Sequence, residues 1–151
     1  MKPRDLVIDR LSFQLGMINC FAEMVAAGVK RLAISPPLDP EDYEKIRDAS
    51  EAIVEGSGIR SFLEKSLMIT DLQSEEFTRG KWSILYHKDP ETLADYLRLK
   101  ERKAGLEAEG AYTPEARKEI SRAFMRLLSY PEEVIEGKIR AGGEADPFII
   151  D

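Results

Sequence analysis

Residues 81–91 read "KWSILYHKDPE", and the assignment of the whole fold turns on them. Trp82, Ile84 and Tyr86 alternate with Ser83, Leu85 and His87, as side chains on the two faces of one strand do. The run is rich in aromatic and branched apolar residues and has no helical period. Asp89-Pro90-Glu91 then opens a helix. Aspartate caps free amides, proline suits the first turn, and glutamate suits the positive end of the helix dipole. The stretch predicts a strand that runs directly into a helix. It also holds the chain's single tryptophan and single histidine.

The same helix-opening triplet recurs at Asp39-Pro40-Glu41 and Thr113-Pro114-Glu115. The flanking segments do not match, so this is shared capping chemistry and not an internal repeat. The helix after Asp39 buries Tyr43, Ile46, Ala49, Ile53 and Val54, and "EGSG" at 55–58 stops it. The helix after Asp89 carries Leu93, Tyr96, Leu97 and Leu99, then enters the charged stretch "KERKAGLEAEG". The helix after Thr113 is the most regular. Ile120, Phe124, Leu127 and Leu128 share one face, with Arg117, Lys118, Arg122 and Arg126 off it. Tyr130-Pro131-Glu132 breaks that helix and starts a short last one through Ile139.

Toward the N-terminus, residues 4–27 read as one long helix. Asp5, Asp9, Ser12, Gly16, Asn19 and Glu23 form a single polar stripe, and nearly everything else is apolar. That arc is wider than one neighbouring layer covers, so the helix is either central to the domain or packed against a second chain. Leu32–Ser35 is a short buried strand ended by Pro36-Pro37. "SLMITDL" (66–72) is predicted to pair with 82–87 as a wide antiparallel hairpin across the polar loop 73–81. Residues 59–65 fit strand or helix equally. The expected fold is one helix-dominated α+β domain over residues 1–140, with about five helices and a small sheet of two or three strands. A C-terminal tail at 141–151 follows it.

Composition bounds the function. A chain of 151 residues with 43% hydrophobic and 33% charged residues buries a real core and is too apolar for disorder. A formal net charge of −6 argues against nucleic acid and anionic lipid as partners. The local basic cluster Arg98, Lys100, Arg102 and Lys103 is diluted by Glu101 and Glu107 and has no interleaved aromatics. The uncharged run 11–22 is too short for a membrane span, and Asp5, Asp9 and Arg10 interrupt any signal-peptide pattern. Cys20, the single cysteine, lies in "MINCFAEM" and is expected to be a buried hydrophobe in a reducing cytoplasm.

Residue supply removes most catalytic chemistries. One histidine and one cysteine cannot build a structural zinc site. A Ser-His-Asp triad would have to use His87, and no "GxSxG" element exists. No "GK[ST]" phosphate loop exists. The acidic pairs Glu41-Asp42, Glu75-Glu76 and Glu132-Glu133 are sequence neighbours, which do not face one another on a helix. No metal and no cofactor is therefore expected.

The candidate sites are the two strand-to-helix junctions, where helix amides are free and anions bind. One is His87-Lys88, with Arg79 and Lys81 upstream as further cations. The other is Ser35. Asp89 already has a capping job. Two function classes follow. The favoured one is a non-enzymatic binding or regulatory module with a small anionic ligand. It would be a homodimer through the 4–27 helix, joined or not by the C-terminal tail, whose Phe148 and Ile150 are expected to dock into an apolar groove on their own subunit or on the partner. The other is an enzyme acting on an anionic metabolite, with His87 as general acid or base and Arg79, Lys81 or Lys88 holding the charge. The module is favoured because no matched catalytic pair is visible.

Overall fold

His87 ends the middle strand of a three-stranded antiparallel sheet. The structure is a computed structural model that describes residues 7–142. Along the chain run α1 (Arg10–Ala26), β1 (Leu32–Ile34), α2 (Pro40–Ser57), β2 (Arg60–Glu64) and the single-turn α3 (Glu75–Thr78). Then come β3 (Ser83–His87), α4 (Pro90–Ala108), α5 (Pro114–Leu127) and α6 (Glu132–Ala141). The strand order is β1-β3-β2. Leu32 and Arg60 both lie opposite His87, and Ile34 and Phe62 both lie opposite Leu85. The helix-dominated α+β class is the one the sequence predicts.

The alternation in 82–87 decides the layering. Ile84 and Tyr86 face α1 and α2 and share a core with Ile18, Ala22, Val25, Ala33 and Ile46. Leu85 faces the other way, into a core with Leu32, Ile34, Tyr96, Ile120, Phe124 and Ile135. All of β3 is buried because helices cover both faces of the sheet. Trp82 is half-buried at the strand's start, edge-on to Tyr43 with ring centroids 5.6 Å apart.

The capping chemistry holds. Asp89 accepts from the Glu91 amide at 3.0 Å, and Thr113 accepts from the Ala116 amide at 3.1 Å. Asp39 occupies the cap of α2, but its side chain makes no capping hydrogen bond.

Three expectations are corrected. Residues 66–72 are not a strand, and the partner of β3 is the ambiguous segment, as β2. Leu67, Met68 and Leu72 are buried as expected, but side chains satisfy their backbone. The Met68 amide donates to Tyr96 Oη at 3.4 Å and the Asp71 amide to Ser121 Oγ at 2.9 Å. An apolar run can fill a core as a loop when such acceptors exist. The first helix begins at Arg10, because Asp9 is its cap and accepts from the Ser12 amide at 2.8 Å. Cys20 is exposed, since the helix buries only the side that carries Ile18, Ala22 and Val25. The expectations about residues 4–6 and about Phe148 and Ile150 lie outside the described residues.

Candidate functional site

The five candidate residues are spread along the sheet and not gathered at one point. Lys81 and His87 stand at opposite ends of an extended run, about 20 Å apart at roughly 3.3 Å per residue. His87 is buried, and its Nδ1–H donates to the Asp89 carbonyl at 3.1 Å, which orients the ring toward the chain that enters α4. Lys88 Nζ donates to the Ala26 carbonyl at 3.3 Å and so caps the end of α1. Arg79 pairs with Glu75 on the surface at 3.0 Å.

Ser35 is fully buried and completes the sheet. Its amide donates to the Ile84 carbonyl at 2.9 Å, and its Oγ accepts from the Ile84 amide at 2.9 Å. Pro36-Pro37 bends the chain away before pairing resumes at Leu38 and Trp82, so a hydroxyl replaces the missing ladder carbonyl. No two of the five share a hydrogen-bond partner.

Three buried carboxylates escaped the reading of sequence, and each is consumed by structure. Asp42 pairs with Arg10. Glu64 accepts from Tyr96 Oη and Lys100 Nζ, both at 2.8 Å. Asp71 accepts from Arg117 Nε and Ser121 Oγ, both at 2.9 Å. These partners are 32 to 50 residues away in sequence, so no spacing rule reveals them, although Asp42 also has Lys45 and Glu64 the Ser66 amide close by in the chain.

Helix α1 carries two apolar seams. Leu11, Leu15, Ile18, Ala22 and Val25 follow a 4-3-4-3 spacing and pack against the sheet and α2. Phe13, Met17, Cys20, Met24 and Ala27 follow the same spacing on the opposite side, where Phe13, Cys20 and Ala27 are exposed. Gly16 beside this outer seam has open space over it. The outer seam carries no charge, which suits a like surface.

A cavity of about 450 Å³ opens where the first half of this seam meets the Pro36-Pro37 bend and α3. That is within the size range of small-molecule sites. Phe13, Met17 and Phe77 give it apolar walls, and Gln14, Asp39 and Lys81 give it polar ones. Gln14 Oε1 is the one buried side-chain polar atom among the described residues that lacks a hydrogen-bond partner. Lys81 Nζ lies 5.6 Å from the Phe77 ring centre. The carboxylate of Asp39, which makes no capping hydrogen bond, completes a site with one acceptor, one anion and two cations, Lys81 and the Asp42-paired Arg10, over an apolar floor. Of the sequence-predicted residues, only Lys81 lines it. Gln14 gives no signal in sequence, because an isolated glutamine in a helix reads as solvated surface.

No family model matches the chain, and no curated protein and no solved structure is similar to it.

Proposed function

We propose that this protein is a non-enzymatic binding module that acts as a two-fold homodimer through the outer seam of α1, with the adjoining 450 Å³ cavity as its ligand pocket. The observation that carries this reading is the second heptad-spaced apolar seam, which the described residues leave exposed at Phe13, Cys20 and Ala27 and half-buried at Met17 and Met24. A helix with apolar residues on opposite sides needs two neighbours, and the domain supplies one. A second copy supplies an identical, uncharged surface, and isologous dimers are the commonest oligomers. Phe13 and Met17 belong both to the seam and to the cavity wall, so ligand occupancy and self-association would act on the same side chains. A reducing cytoplasm suits an exposed Cys20 within such a seam.

The enzymatic alternative has less support. His87 does not line the 450 Å³ cavity, and its ring hydrogen-bonds a backbone carbonyl instead of a charged group. Among the described residues, no helix is long and apolar enough to cross a membrane.

Light scattering at micromolar concentration tests the dimer. The expected mass is twice 17.1 kDa, falling to 17.1 kDa in Met17→Glu with unchanged far-ultraviolet circular dichroism. A parent chain that stays monomeric overturns the reading.

A further inference from the structure

Two lysines lie over the Tyr130 ring. Lys30, from the turn after α1, places Nζ 5.1 Å from the ring centre, and Lys138, from α6, places Nζ 5.3 Å from it. The approach of Lys30 is fixed from the backbone. Ser129 ends α5 in the left-handed region (φ 66°), where a residue with a side chain is strained. From there its Oγ accepts from the Arg31 amide at 3.0 Å. That contact pins the residue next to Lys30 against the residue next to Tyr130.

The charge balance here is unusual for an acidic chain. Nearby cations on α5 are matched: Arg122 pairs with Glu136 and Arg126 with Glu132, both at 2.7 Å. Lys30 and Lys138 make no ion pair among the described residues, although both approach one phenol ring. Burial holds the Lys30 ammonium below the usual lysine range by desolvating its charge.

Lys30 also lines a cavity of about 140 Å³ whose other walls are Phe21, Ile34, Leu72, Leu128, the body of Tyr130 and one polar side chain, Gln73. An apolar cavity of about 150 Å³ holds one benzene molecule. The cation and the apolar space are contiguous, because Lys30 itself lines the cavity.

We infer that Lys30, Tyr130 and Lys138 form a binding site for a carboxylate carried on an apolar body of about six carbons. The carboxylate supplies the counter-ion that Lys30 lacks among the described residues, with Lys138, over the same ring, adding attraction. The carbon body fills the space between Phe21 and Leu128. Phosphate offers the charge without the body, and an amine offers the body with the wrong charge. The site stands whether or not α1 pairs with a second copy. Two sources carry this chemistry. One is a free small acid. The other is the chain's own segment 146–150, "DPFII", with an acid two residues before a phenyl ring.

Hexanoate and benzoate are the probes, titrated against the full chain and against a chain truncated after Gly143. Methyl resonances of Ile34, Leu72 and Leu128 give the readout, with phosphate and hexylamine at equal ionic strength as controls. Saturable shifts with the acids alone, weakened about tenfold or more in Lys30→Gln and retained in Lys30→Arg, are expected. Such shifts in the full chain assign the site to a free acid. If they appear only after truncation, the tail is the resident occupant of the same site. If neither chain responds, or if Lys30→Gln responds like the parent, the inference is overturned.

Discussion

Tyr96 Oη donates a 2.8 Å hydrogen bond to Glu64, joining the first turns of α4 to the end of β2 inside the core. Burial, and then the carboxylate it donates to, hold the Tyr96 phenol well above the usual tyrosine range, so it remains a donor across the physiological range. The same oxygen accepts the Met68 amide, which no strand partner satisfies. Tyr96→Phe keeps the ring and removes both contacts. The expected cost is about 1–3 kcal/mol, read as a fall in melting temperature of about 3–10 °C for a domain of this size. A shift within 1 °C would show that Lys100 and the Ser66 amide satisfy Glu64 without the phenol.

Ser121 does for Asp71 what Tyr96 does for Met68. Its Oγ accepts the Asp71 amide and donates to the Asp71 carboxylate, each at 2.9 Å. Ser121→Ala leaves a buried amide unpaired, at about 1–3 kcal/mol. The loop that carries Leu67 to Gln73 has few other backbone anchors, so loss should be local before it is global. Hydrogen exchange at Met68, Asp71 and Leu72 is expected to quicken more than at β3. Uniform acceleration over the whole chain would contradict a local anchor.

The α5–α6 corner should make stability depend on acid. Hydrogen bonds from Arg126 and Arg122 hold the Glu132 and Glu136 carboxyls, respectively, below their usual value of 4.5. A group whose folded pKa is depressed contributes stability above its unfolded pKa and loses it as the pH falls through the folded one. Arg122→Gln combined with Arg126→Gln is therefore expected to lower the melting temperature at pH 7. The gap to the parent should narrow below about pH 4.5 and close at lower pH. Both carboxylates are solvent-facing, so the effect should also shrink in high salt. A gap independent of pH and salt would assign the loss to packing of the arginine stems.

Cys20 lies in the middle of the outer seam of α1, between Met17 and Met24. In a two-fold helix pair a central seam residue lies near its own copy. A mild oxidant is expected to give a disulfide-linked dimer from the parent chain, none from Cys20→Ser, and far less from Met17→Glu, which keeps the thiol but not the interface. Equal cross-linking in the parent and Met17→Glu would point to random collision.

His87 is expected to matter for folding. His87→Ala removes a buried ring and its hydrogen bond to the chain entering α4, at about 1–3 kcal/mol. Phosphate should stabilise the parent and the double variant His87→Ala, Lys88→Ala to the same degree if the junction holds no anion. A phosphate response lost with both side chains would mark the junction as an anion site.

Sequence alone determined the features set by short-range physics. The two faces of 82–87 follow from the pleat of a strand, and the starts of α2, α4 and α5 follow from capping and from proline at the first turn. The polar stripe of α1 was legible because helical geometry fixes which residues share a side. The choice between Arg60–Glu64 and 66–72 as the partner of β3 was not. Both runs are apolar enough, and what separated them was whether distant Tyr96 and Ser121 would satisfy the loop's amides. The side of α1 left bare, with Cys20 on it, depended on where α2 and the sheet came to rest. The two cavities depended on the same docking. Lys30 and Tyr130 are 100 residues apart in the chain, and tertiary packing, with the contact of Arg31 to Ser129 beside them, brings them together. Charges and rings acquire a site's chemistry from neighbours that the local sequence does not contain.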